Sequence, residues 1–462
     1  MSRPSLDTLA TIHADGSRAF VHPADVSGRF HLLRRGVFAL LIAVYAALPW
    51  IPINGNPAVF LDISGRQFHL FGHTFVSQDF WLVFFLITGL AFLLFYVTAL
   101  FGRLWCGYAC PQTVFLDGVY RRIERWLEGD APRRRRLDAA PWNTEKVLRR
   151  GLKHAAFVAV SLAISHLFIA YFVSIPELYR MMGASPLENW TVFLWVFVTG
   201  GILYFNFAWF REQLCIIICP YGRLQSVLID DDSVVIGYDD ERGEPRGKVN
   251  TPGAGDCVDC ARCVSVCPTG IDIRQGLQME CIGCTACIDA CDAVMKKLGR
   301  PTGLIRYDSA NGLAGRKTRI VRPRTVLYTA LLLAGAGVFL FALSQVSPFS
   351  ANAIRMPGAP YYQQEDSVRN HFQVRVINKR NETAAFSIRA ESPLAEFDWT
   401  TPEQPLVLEP HQERVTPLFV HIPRAAYEGP FPITLHIEDN DGAGQVTRRV
   451  TFLGPDIRNQ QP

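Results

Sequence analysis

This 462-residue chain has little net charge, only +4, and so gives no electrostatic reason to propose nucleic acid as a partner. Cysteine is missing from most of it: none of the twelve lies before Cys106 or after Cys291. A secreted disulfide scaffold would show the reverse, so cysteine here points to a reducing compartment and to metal. No Gly-x-Gly-x-x-Gly opens a βαβ unit, which excludes a recognisable dinucleotide domain. Any electron donor must then be another protein or a membrane quinol. No cleavable signal precedes the first apolar run. A polar segment ending in Arg34 and Arg35 comes first, so that run reads as an uncleaved anchor.

Five stretches also lack charge, about Gly36–Trp50, Phe80–Phe101, Ala155–Val173, Trp190–Phe210 and Thr325–Val346. Each is near the roughly 20 residues a bilayer core requires. A buried core helix of that length would keep a polar face, so they read as transmembrane helices. Lys and Arg set the orientation. The loop after the second run holds Arg103, Arg121, Arg122, Arg125, Arg133–Arg136, Lys146, Arg149, Arg150 and Lys153. The loops on either side hold only Arg66 and Arg180. The basic loop is therefore expected in the cytoplasm, with residues 1–35 and 211–324. The tail after Ser347 is expected in the periplasm. The expected divisions are 36–229 for four spans, 230–255 for a Gly- and Pro-rich linker, 256–312 for a cysteine-rich domain, 325–346 for the fifth span and 350–462 for the tail.

"CVDCARCVSVCP" begins at Cys257 and "CIGCTACIDACD" at Cys281. Each reads C-x-x-C-x-x-C-x-x-x-C, the bacterial ferredoxin spacing, in which the fourth cysteine serves the other cluster. The expected sets are Cys257, Cys260, Cys263 and Cys291 on one 4Fe-4S cluster, and Cys281, Cys284, Cys287 and Cys267 on a second. Zinc sites usually use two C-x-x-C pairs, and zinc gives no reason for matched sets with a cross-over cysteine. Asp292 follows the last cysteine where proline is usual, which loosens a turn but removes no ligand. Apolar runs such as 264–266 and 271–273 can cover the clusters.

The remaining four cysteines lie in "WCGYACPQ" and "CIIICPYG". Cys106 and Cys110 follow the second span, and Cys215 and Cys219 follow the fourth. Both pairs read C-x-x-x-C-P, a weak internal repeat. On a helix, cysteines four apart share a face. The proline biases the second cysteine of each pair away from helical angles, toward a shared site at a helix end. Buried small hydrophobes, a thiol or copper(I) site, and a further iron–sulfur centre are the three readings.

Elsewhere the signals are weaker. His166 is an ionisable residue inside the third span, either functional or bonded to a neighbouring helix. His69 and His73 lie outside and could bind metal, though a loop pair is more often incidental. Residues 299–312 read as a loop toward the fifth span. The tail alternates apolar and polar residues, as in "HFQVRVIN" and "FPITLHIED", with "NDG" suited to a hairpin turn. That pattern implies an immunoglobulin-like sandwich without a disulfide. The fold class is a multi-domain membrane protein: five transmembrane helices, an inserted dicluster ferredoxin-like α+β domain, and a C-terminal all-β immunoglobulin-like sandwich.

"WCGYACPQ", "CPYGRLQ", "CPTGIDIRQGLQMECIGCTACIDAC" and "GRPTGLIRYDS", followed by one helix and a β-rich tail, resemble the cytochrome c oxidase accessory protein family CcoG, also called FixG or RdxA. The resemblance covers nearly the whole chain after residue 30. It implies a role in assembly of cbb-type haem–copper oxidases, with reduction of copper(II) to copper(I). The eight ferredoxin cysteines would hold two clusters, and Cys106, Cys110, Cys215 and Cys219 would be the copper-reducing thiols. Copper ions, oxidase assembly factors and copper chaperones or transporters would be partners. Two other readings are a quinol-linked electron-transfer subunit of a partner reductase and a non-redox assembly scaffold.

Overall fold

A computed structural model of the protein describes residues 20–455, apart from 64, 77–78, 250 and 443. Most of the N-terminal segment 1–35 lies outside these residues. The chain forms two compact units. One joins the chain up to Trp50 to Phe85–Val338; the other joins Ile51–Phe84 to the chain from Phe339 onward.

Among the described residues, five helices are long and apolar enough to cross a membrane: Arg29–Trp50, Trp81–Phe101, Thr144–Ile169, Trp190–Phe210 and Pro323–Ser344. The first starts before Gly36, where Arg34 and the His31 amide find partners. The amide of His31 donates to Asp289 at 2.7 Å, and buried Arg34 donates to Asp117 at 2.6 Å and to the Gly107 carbonyl at 2.7 Å. The third starts before Ala155. Asn143 caps it by accepting from the Lys146 amide at 2.8 Å, and its first turns are charged. The last turn of the fourth span is a π-helix, Asn206–Phe210. Along the third and fourth spans small residues allow close approach. Ser165 donates to the Val196 carbonyl at 2.9 Å, and a side chain at Gly200 would meet Leu162 at 3.0 Å.

Where these spans end, charge is buried and paired. Arg211 donates twice to Glu124, at 3.0 Å each, and Arg134 donates to the same carboxylate at 3.3 Å. Lys153 lies 3.0 Å from buried Glu128. Burial alone would raise the Glu124 pKa, but Arg211, Lys153 and Arg134 overcome it and hold it at about 2.

The cysteine-rich part is built on the helices Arg262–Ser265 and Ala286–Lys297 and on a two-stranded antiparallel sheet, Val235–Tyr238 with Ile305–Asp308. Residues 230–255 are thus more than a linker. Ile236 and Tyr238 are buried in the same core as Ile288, Met295 and Ile305, which is why the segment orders as a strand. Residues 299–312, expected as a loop, supply its partner strand for the same reason.

In the second unit, two antiparallel sheets face each other. One orders its strands Asp398–Thr400, Glu413–Pro423, Ser367–Asn378 and Phe349–Arg355; the other orders Leu406–Leu408, Ala384–Glu391, Phe431–Asp439 and Gln445–Phe452. Alternate residues point inward, so Phe372, Val374 and Leu418 from one sheet pack with Phe386, Ile433 and Leu435 from the other. Residues 440–442 sit in the turn of the hairpin whose register pairs Glu438 with Gln445. A three-stranded sheet, Val59–Asp62, Gln67–Leu70 and His73–Val76, belongs to the same unit and was not expected from the sequence.

Candidate functional site

The two C-x-x-C-x-x-C segments share one backbone device. Asp259 and Ala261 in the first have φ of 50° and 49°; the matching Gly283 and Thr285 in the second have 68° and 64°. Left-handed residues on both sides of the middle cysteine curl each loop around an interior space. Non-glycine residues adopt this conformation at a cost of about 1–2 kcal/mol each.

Two cavities result. Cys257, Cys260, Cys263 and Cys291 line the first, with Tyr238, Met295, Leu304 and Ile305. Cys267, Cys281, Cys284 and Cys287 line the second, with Ile236, Ile271, Ile273 and Ile282; Cys263 borders both. Four thiols around an apolar space suit a cubane, which spreads its ligands over four irons. Among the described residues, no three His, Cys, Asp or Glu side chains gather closely enough for a single metal ion. Burial pushes the thiols of Cys263 and Cys281 up to about 11 and those of Cys284 and Cys291 up to about 12. Metal binding would therefore have to displace protons.

In each C-x-x-x-C-P pair the second cysteine leaves the helix, as the proline after it led us to expect. Cys106 is in the short helix Leu104–Tyr108, and Cys110 is extended, at the N-cap of Pro111–Phe115. Cys215 is in the π-helix Leu214–Ile218, and Cys219 is extended, at the N-cap of Pro220–Leu228. Each proline occupies the first turn of a new helix, where its missing N–H costs nothing. The four thiols are neighbours nonetheless. Burial raises the Cys215 thiol most, and Cys110, Cys106 and Cys219 raise it further. Burial likewise pushes Cys106 up to about 11, against Gln225, whose amide donates to its sulfur at 3.3 Å.

This thiol group adjoins the second cavity. Cys106 packs on the buried group that contains Ile282 and Cys284. A Cβ on Gly107 would lie 2.5 Å from the Gly283 carbonyl oxygen, so the two backbones touch. Tyr108 and Thr285 share a 3.1 Å hydroxyl hydrogen bond. Arg103 ties all three segments together. It donates to the carbonyls of Met279 and, at 3.2 Å, Cys281, and to that of Gly222 at 3.0 Å. Sequence reading counted Arg103 only among the charges that set orientation. Its position, three residues before Cys106, was the one available hint.

The histidines fall elsewhere. The His166 ring is 2.7 Å from the Leu162 carbonyl of its own helix. His69 is buried in the second unit, with Nδ1 2.9 Å from Thr74 Oγ1, which is 2.9 Å from His411 Nδ1. His73 is exposed.

Apolar spans joined to two thiol-lined cavities define a membrane-bound dicluster ferredoxin. Comparison with known proteins agrees. A 4Fe-4S dicluster domain family matches residues 210–310, a 4Fe-4S binding domain family matches 80–133, and the IG-like fold at the C-terminal of FixG matches 339–455. Protein RdxA of Cereibacter sphaeroides is 39% identical over 394 residues, covering 81% of this chain and 82% of its own. Nitrogen fixation protein FixG of Rhizobium meliloti is 34% identical, covering 89% and 88%. Protein RdxB of Cereibacter sphaeroides is 36% identical, covering 85% of each. The chain belongs to the FixG/RdxA family and is an iron–sulfur electron-transfer protein with a C-terminal immunoglobulin-like domain.

Proposed function

We propose that this protein moves single electrons between its two iron–sulfur clusters and a second centre at Cys106, Cys110, Cys215 and Cys219, and that it thereby reduces copper(II) to copper(I) for assembly of a cbb-type oxidase. The observation that carries this reading is the backbone contact between Gly107 and Gly283, which puts the C-x-x-x-C-P thiols beside the second cavity. Each cluster, when bound, takes up and gives out one electron. Cys257, Cys260, Cys263 and Cys291 would hold one, and Cys267, Cys281, Cys284 and Cys287 the other. The side chains of Tyr238, Ile236 and Ile273 exclude water from the cavities, and Arg103 fixes the distance to the four thiols. Copper(II) as substrate gains one electron there, and sulfur favours the copper(I) product over the substrate. The density of Lys and Arg in residues 103–153 supports a cytoplasmic position for this machinery and a periplasmic one for the C-terminal domain.

The test is anaerobic. Reduced protein is offered copper(II) together with a copper(I)-specific chelator. One copper(I) per electron stored is expected, with loss in the Cys106→Ser/Cys215→Ser variant. Turnover unchanged in that variant would refute the role of these thiols. A second reading, in which the four thiols hold another iron–sulfur centre, is favoured by the 4Fe-4S binding family that spans Cys106 and Cys110.

A further inference from the structure

A cavity of about 420 Å³ opens beside Cys284 in the first unit, lined by Arg34, Arg35, Arg121, Arg122, Arg125 and Arg134. Among the described residues, two carboxylates line it, Asp25 and Asp117. Four of the six guanidiniums are paired: Arg34 and Arg121 with Asp117, Arg125 with Asp25, and Arg134 with Glu124. Among the described residues, Arg35 and Arg122 have no acidic partner. Burial, and then the charge of Arg35, pull the Arg122 pKa below its ordinary value, against the opposing charge of Asp117. Unshared positive charge around one space is the chemistry of a phosphate site.

The surroundings say what carries the phosphate. The cavity sits at the start of the first membrane span, where Leu32 and Leu33 are 71% and 58% exposed, and Trp126 at its lining is 77% exposed. Exposed leucines beside arginines and an interfacial tryptophan match an amphipathic ligand at the edge of a bilayer. We infer that this cavity binds the phosphate of an anionic phospholipid in the leaflet at this end of the spans, with Arg35 and Arg122 as its principal cations.

Native mass spectrometry of the full chain in mild detergent tests this with phosphatidylglycerol, phosphatidylcholine and pyrophosphate as probes. Preferential retention of phosphatidylglycerol is expected, weakened about fivefold by Arg35→Gln and about fivefold by Arg122→Gln. Neither substitution strips a partner from a carboxylate, so both variants should fold. Equal retention of the two lipids, or retention unchanged in both variants, would overturn the inference. Tight binding of pyrophosphate without retention of lipid would assign the cavity to a soluble phosphate and overturn the lipid assignment.

Discussion

Substituting Gly107→Ala probes the junction between the C-x-x-x-C-P thiols and the second cavity. The new methyl would lie 2.5 Å from the Gly283 carbonyl oxygen, 2.8 Å from its carbon and 3.0 Å from the Ile282 carbonyl oxygen. Ordinary contact needs at least about 3.4 Å, so one backbone must retreat by about 0.9 Å. No flexible side chain can absorb the shift: Gly283 is held at φ 68° between Ile282 and Cys284, and Arg34 holds the Gly107 carbonyl. Overpacking of this kind costs about 1–3 kcal/mol. The loop that moves carries Cys281 and Cys284, so the loss should appear as weaker cluster retention and a lower melting temperature. Gly151→Ala is the control. It sits in the helix Thr144–Ile169 with nothing within 4 Å of the added methyl, and should stabilise by about 0.5–1 kcal/mol. Visible absorbance per chain and thermal melting, read under anaerobic conditions, compare the three proteins. If Gly107→Ala keeps full absorbance and melts with the wild type, the backbone contact does not exist and the proposed electron path loses its support.

Other outcomes follow from the same geometry. Glu124→Gln leaves Arg211 and Arg134 buried without a full counter-charge and should cost about 3–5 kcal/mol, measured as lower yield and earlier melting. The wild-type carboxylate titrates near 2 when folded, against 4.5 ordinarily, so its contribution is complete above about pH 4.5 and is lost as pH falls toward 2. An acid titration of melting temperature should therefore drop less steeply in Glu124→Gln than in the wild type. Leu418→Ala empties a fully buried position in the C-terminal sandwich and should cost about 2–5 kcal/mol there, with iron content unchanged.

What could be read from sequence was local. Twelve cysteines at fixed spacings announced thiol-bound metal, and charge-free runs announced the spans, because a cubane and a bilayer each impose a short-range pattern. What could not be read was pairing at a distance. Arg34 sits inside the first span because Asp117, eighty-three positions on, neutralises it. The strand Val235–Tyr238 was hidden in a Gly- and Pro-rich segment because its partner, Ile305–Asp308, lies beyond the whole cysteine block. The helix end at Cys110 was legible from Pro111, but not that the same proline starts a new helix. Arg103 looked like one basic residue among many, although its three carbonyl acceptors join the second span to both thiol groups.

The most direct test of the central claim is metal content of the full chain, purified without oxygen. About eight iron atoms per chain are expected from the two cavities, or about twelve if the membrane thiols hold a further centre, together with visible absorbance that bleaches on reduction. A colourless, iron-free protein carrying zinc would contradict it.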